Sequence, residues 1–250
     1  MNYNYQKLLE IANSDKNKGV MVVSRYLKGE KYDEDEIKLL VIGRALNGWS
    51  KDLIASSVEE FNSIWEKQEK GELDSLCKSR YSNKGKAKLT PIQTKGLEWV
   101  KSYIKKDNGK RFYRTENTPF WSVVREITEL LHNGQLKEGE WTKHIAWTNL
   151  AKIAPLNGGN PNDDLWNDQH DISKEILWAE LEKLQPTHIM IIAKSNKENN
   201  PKNDSWTEGY YEILESYKNK HNVKIAYMYR PEFKKRSTYI SDTKNAFDIN

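Results

Sequence analysis

The chain has 250 residues, 37% of them hydrophobic and 30% charged, with a formal net charge of +4. That is enough for one well-buried domain, residues 1–250, and nothing marks a division into two. Mean hydropathy is −0.88 and no apolar run approaches the ~20 residues that cross a bilayer, which excludes a membrane-spanning helix and a membrane partner. The opening residues MNYNYQKLLE lack the layout of a signal peptide, so a cytoplasmic protein, expected to be a monomer, follows. One cysteine, Cys77, excludes an internal disulfide and a four-thiolate zinc or iron–sulfur cluster made from this chain alone.

Lysine and arginine are unevenly placed, with clusters at 78–88 (KSRYSNKGKAK), 105–114 (KKDNGKRFYR) and 229–236 (YRPEFKKR). Nine Trp and thirteen Tyr add stacking surface, a combination that suits nucleic acid. A solvated lysine-rich surface accounts for the same composition equally well.

In chain order, residues 1–36 read as a helical extension. A short amphipathic helix lies at 5–13, and the apolar stretch 21–27 fits strand or helix. The organising stretch is 37–49, IKLLVIGRALNGW. Leu39, Leu40, Val41 and Ile42 form an unbroken aliphatic run, which predicts a central parallel strand buried on both faces. Gly43 then opens a loop at the strand's carboxyl end, the place where open α/β sheets bind ligands. Gly43 lets backbone approach a ligand closely, and Arg44 and Asn47 offer polar groups. A plain turn around Asn47-Gly48 competes with that reading. Leu53, Ile54, Val58, Phe61, Ile64 and Trp65 predict a helix over 51–70 that follows the loop directly. Residues 78–93 read as a basic insertion loop, and Leu97, Val100 and Ile104 place a helix over 96–105.

An aromatic, polar segment at 111–117 leads into a helix that Thr118 caps and Pro119 starts, with Phe120, Val123, Val124, Ile127 and Leu131 on its buried side. Residues 144–155 begin as a strand with Asn149 near its end, and the loop continues through LNGGNPNDDLW. A helix at 172–184, an apolar strand at 188–193, a helix at 206–217 and a strand at 223–229 follow, before Arg230 and Pro231 open a basic loop. Strand and helix alternate, the signature of a three-layer α/β/α sandwich with a central, mostly parallel sheet. There is no P-loop, GxGxxG, HExxH or GxSxG motif. His132, His144, His170, His188 and His221 show no ligand spacing and read as structural or solvent-facing. Asp163-Asp164 reads as part of a hydrated loop, so no metal or other cofactor is expected.

Three pieces in this order, and then a final loop, resemble the uracil-DNA glycosylase superfamily, most closely its mismatch-specific uracil/thymine branch. VIGRALNG (41–48) is similar to that branch's strand and Gly-Ile-Asn-Pro-Gly motif, whose polar residue holds the attacking water. The segment 112–121, with Asn117, Phe120 and Trp121, resembles the one in which an aromatic stacks on a flipped base before Asn-x-Phe-Trp opens a helix; here the spacing is one residue longer. Thr148-Asn149-Leu150 resembles the strand that carries a base-reading Asn. YRPEFKKRS (229–237) resembles the loop of His-Pro-Ser or Asn-Pro-Ser type that enters the DNA minor groove. The first three motif positions are Gly43, Arg44 and Ala45 in place of a family Asp, Asn or Glu, and Arg230 stands where His or Asn precedes the proline.

The resemblance implies a DNA glycosylase of uracil-DNA glycosylase-like fold that acts on DNA in repair or anti-phage defence. In it Asn47 holds the water and Arg230 stabilises the departing base or grips a phosphate. Gly43 and Arg44 line the base site, Phe112 or Tyr113 stacks on the base, and Asn149 reads its edge. Lys234, Lys235 and Arg236 hold the backbone. A non-catalytic nucleic-acid-binding protein of the same fold remains open, as does a small-molecule or nucleoside hydrolase.

Overall fold

The computed structural model describes residues 2–46, 53–70, 87–89, 95–101, 103–106, 111–156, 158–194, 201–229 and 236–249. The aliphatic run at 39–42 forms strand β3 (Leu39–Gly43), buried along its whole length. Parallel strands β7 (Ile145–Asn149) and β9 (His188–Lys194) pair with both its edges, and helices cover both its faces. β10 (Lys224–Tyr229) adds in parallel beyond β9, and β2 (Leu27–Lys28) closes the other edge antiparallel to β7, giving the order β10-β9-β3-β7-β2.

Alternation along the strands divides the core between two helical layers. Leu39, Val41, Met190, Ile192, Ala226 and Met228 face one layer, which holds α1 (Asn2–Ala12), α2 (Val58–Lys70), α3 (Pro119–Leu131) and α6 (Arg236–Phe247). Leu40, Ile42, Ile189 and Ile191 face the other, where Leu177, Leu181 and Leu184 of α4 (Asp163–Leu184) meet Tyr210, Leu214 and Tyr217 of α5 (Glu208–His221). The chain is thus a mixed α/β protein with a mostly parallel sheet between helices. Among the described residues no helix is long and apolar enough to cross a membrane.

Two small sheets accompany the large one. β1 (Met21–Val23) pairs antiparallel with β8 (Ile153–Pro155). β4 (Ala87–Leu89), β5 (Tyr103–Lys106) and β6 (Arg111–Arg114) form a three-stranded antiparallel sheet.

Several sequence expectations shift. Residues 1–36 are not a helical extension: after α1 the chain supplies β1 and β2, and β2 completes the edge of the central sheet. Helix α2 begins at Val58, not 51, because Ser57 Oγ accepts from the Glu60 N–H (3.2 Å) while the Glu60 carboxylate accepts from the Ser56 N–H (2.7 Å), a reciprocal cap that fixes the start. The helix expected over 96–105 is a 3-10 turn, Glu98–Lys101, followed by β5; pairing with β6 overrides a short helical periodicity. Part of the expected 78–93 loop, 87–89, is strand β4.

Helix α4 starts nine residues before the expected 172. Asn162 Oδ1 accepts from the Leu165 N–H at 3.0 Å, and Asp163 and Asp164 sit in the first turn, where a helix favours negative charge; they belong to no loop. The start of α3 agrees with its sequence signals: Thr118 caps it and Pro119 is its first residue.

Candidate functional site

Chain connections leave β3 toward β7 on one side, and leave β9 toward β10 on the other. The boundary between β3 and β9 is therefore the switch point of the sheet, and their carboxyl ends open a crevice. Gly43 ends β3 directly opposite Asn149, the last residue of β7. A Cβ on residue 43 would lie 2.6 Å from Asn149 Oδ1, 3.6 Å from Trp147 Nε1 and 3.7 Å from Phe120 Cε2. The missing side chain of Gly43 leaves the space that the Asn149 amide occupies, with an indole N–H and a phenyl edge converging on the same point.

Everything around that amide is held. The Leu150 N–H donates to Gly43 O at 2.9 Å and the Ala151 N–H to Arg44 O at 2.8 Å, so the two strand ends stay paired past Asn149. The Tyr210 hydroxyl donates to Leu150 O at 2.8 Å, and burial pushes its pKa far up, which keeps it a donor. Thr148 Oγ1, one residue before Asn149, donates to Glu180 Oε2 at 2.8 Å and accepts from Lys152 Nζ at 2.7 Å. Lys152 and Glu180 meet at 2.6 Å with neither side chain exposed. Burial pulls the Lys152 ammonium below the usual lysine pKa while Glu180 opposes it, and Tyr26 N–H and Tyr5 OH complete the carboxylate's shell at 3.1 and 3.4 Å.

Asn149 itself is 2% exposed. None of the hydrogen bonds among the described residues uses its side-chain amide. Although the residue is nearly buried, neither amide atom is a buried polar atom without a partner, so the amide keeps an edge open to the crevice. Here its neighbours are clamped by five separate contacts and the amide is left for something else.

Cations line the same end of the sheet. Arg44 Nε donates to Ala193 O at 2.6 Å, tying the end of β3 to β9, and the guanidinium stacks over Trp206 at 5.0 Å. Arg44 therefore spans the crevice as a positioning group and adds positive charge to it. Lys194, at the end of β9 and 5% exposed, holds its ammonium 4.3 Å from the centre of the Tyr229 ring.

The remaining expected residues are distributed as follows. Asn47, Arg230, Lys234 and Lys235 lie outside the described residues. Phe112 and Tyr113 are on β6 of the small antiparallel sheet. Arg236 opens α6, where its guanidinium pairs with Glu126 of α3 and also donates to Ser122 O at 3.4 Å. The sequence placed Phe120 in the core; it is half-buried and borders Asn149. Trp121 is core, in an aromatic cluster with Trp99, Trp141 and Trp147 at 5.6, 6.1 and 5.7 Å. Lys194 and Trp206 carried no sequence signal beyond position: one closes an apolar strand and the other precedes a helix.

Comparison with protein-family models, with curated proteins and with solved structures returned no match.

Proposed function

We propose that the protein is a DNA glycosylase of uracil-DNA glycosylase-like fold, which hydrolyses the N-glycosidic bond of a flipped uracil-like or modified pyrimidine in repair or anti-phage defence. The observation that carries this reading is the Asn149 amide, on a residue only 2% exposed, in no hydrogen bond among the described residues and seated beside Gly43 at the carboxyl ends of β3 and β7. An amide presents one acceptor and two donors in a plane, which matches the mixed donor–acceptor edge of a pyrimidine drawn out of the stack. The Phe120 edge supplies an apolar wall for a flat ring, and Arg44 and Lys194 supply positive charge toward a polyanion.

In this reading Asn47 positions the attacking water and Arg230 stabilises charge on the departing base; Phe112 or Tyr113 stacks on the base, and Lys234, Lys235 and Arg236 hold phosphates. Cleavage through an oxocarbenium-like state tolerates a weakly activated, well-placed water. Release of free base from duplex and single-stranded DNA carrying uracil, mismatched thymine or modified cytosines tests it. Wild-type protein is expected to release one of these, with Asn149→Ala lowering the rate at least ~100-fold, the scale for losing one positioned hydrogen-bonding group. A folded protein that releases none of them overturns the reading.

A second reading has its own observation. Gly43, Arg44 and Ala45 bring no carboxylate to the start of the loop, which favours a non-catalytic nucleic-acid-binding protein. It predicts no base release, together with DNA binding that falls steeply with salt.

A further inference from the structure

The opposite end of the sheet holds a second polar cluster that no step of base release uses. Asp35 precedes β3, His144 immediately precedes β7, and His132 is the C-cap of α3. His144 Nδ1 lies 2.8 and 3.1 Å from the two Asp35 carboxylate oxygens. The imidazoles of His132 and His144 meet edge-on with ring centres 5.0 Å apart. Both Nε2 atoms are buried without a hydrogen-bond partner among the described residues, and the His144 side chain is only 9% exposed. Two buried Nε2 atoms left unmet in one cluster that also holds a carboxylate is a costly arrangement for a fold to keep, since each buried unmet polar atom costs ~1–3 kcal/mol.

We propose that Asp35, His132 and His144 form a binding site for a divalent transition-metal ion of the zinc class. Each residue offers one ligand atom, and these atoms lie within 4.8 Å of one another. Tetrahedral zinc holds nitrogen and oxygen at about 2.0–2.2 Å, which spaces its ligands roughly 3.3–3.6 Å apart, so the three atoms draw together by at most about 1 Å to close on an ion. Two imidazoles and one carboxylate select borderline ions over calcium or magnesium, which take oxygen shells. Three protein donors leave a fourth position for water.

The ion would join three segments that are distant in sequence, and it would fix the C-terminal end of α3, the helix whose first turn brings Phe120 to Asn149. This inference stands whether or not the protein releases a base.

The test is zinc chloride added to chelator-stripped, full-length protein, with binding followed by calorimetry and by metal content after dialysis. Cobalt(II) in place of zinc reports ligand geometry through its visible absorption. The expected result is one retained zinc per chain, a cobalt spectrum of low coordination number, and at least a tenfold loss of affinity in both His132→Gln and His144→Gln, with secondary structure checked by circular dichroism. Should His144→Gln fail to fold, His132→Gln, at a half-buried helix end, decides alone. Absence of retained zinc in the wild type overturns the proposal. So does zinc binding that both variants leave unchanged, because it would then arise at His170, His188 or His221.

Discussion

The two rims of the central sheet use polar residues in opposite ways. At the carboxyl rim, Asn149 has tied-down neighbours while its own amide enters no hydrogen bond among the described residues, and the ends of β3 and β9 bring two cations, Arg44 and Lys194. At the amino rim, polar groups face each other: His144 meets Asp35 and His132, and Lys143 meets Glu30 at 3.0 Å and Glu140 at 3.3 Å. Ion pairs close the amino rim and leave only the two histidine Nε2 atoms unmet in the cluster there, whereas at the carboxyl rim the amide, in no hydrogen bond among the described residues, awaits a partner from outside. Substitutions at the two rims should therefore separate stability from function.

The largest expected effect comes from the network that seats the carboxyl rim. Glu180→Ala strands the Lys152 ammonium in a fully buried place, and removing one partner of a buried pair costs ~3–5 kcal/mol. Replacing both, as Lys152→Met with Glu180→Leu, should recover much of that loss in urea unfolding. Equal instability of the single and double variants would show that the charge pair is not the source.

Next comes the amino rim. A Cβ on Gly29 would stand 2.2 Å from Lys143 O and 2.4 Å from Thr142 O, both backbone atoms, and the segments are tied by Gly29 N–H to Ile145 O at 2.8 Å and Lys31 N–H to Lys143 O at 3.0 Å. Gly29→Ala should cost ~1–3 kcal/mol, the range for overpacking a tight site. It should also weaken metal binding, because it displaces the backbone next to His144. A thermal midpoint equal to that of the wild type would contradict so close an approach.

What the sequence reveals follows from the range of the interactions that carry it. Strands β3 and β9 are legible because burial on both faces writes an unbroken aliphatic run, and α3 because Thr118 and Pro119 act locally. Asn149 is legible as a strand end. Its closure over Gly43 is not, since that depends on the register of two strands distant in sequence. Helix α6 escapes because its buried stripe is only Tyr239, Thr243 and Phe247, every fourth residue with a threonine in the middle. The Asp35–His132–His144 cluster has no ligand spacing to read: a loop, a helix end and a strand entry bring it together, and only the fold makes them neighbours. The Lys152–Glu180 pair is hidden for the same reason.

A smaller effect, again at the amino rim, is set by pH. His188 starts β9; burial, and then the nearby Lys224, lower its pKa from 6.5 to about 4. Its Nδ1 lies 2.9 Å from Thr187 Oγ1 and its ring packs edge-on against Phe247. The unfolded chain thus binds this proton more readily than the folded one. The stability contributed by neutral His188 is complete above about pH 6.5 and is lost as pH falls toward 4. Partial solvent access brings the loss to ~1 kcal/mol. His188→Gln should flatten that part of the pH–stability curve, measured with chelator present, and an unchanged slope would assign it to other groups.

The smallest cost to the fold should fall at Gly43, and there the contrast between the rims is sharpest. The atom a Cβ would strike is Asn149 Oδ1, the tip of a side chain and not backbone. The amide can swing aside, so Gly43→Ala should lower stability by less than ~1 kcal/mol, well below Gly29→Ala. The same swing removes the amide from the position the strand ends hold for it, so base release, or DNA binding in a non-catalytic protein, should fall by an order of magnitude or more. An alanine at 43 that leaves both stability and DNA transactions intact would mean that the Asn149 amide is merely accommodated at the carboxyl rim. One that destabilises as much as Gly29→Ala would mean that this rim, too, is built to close the fold.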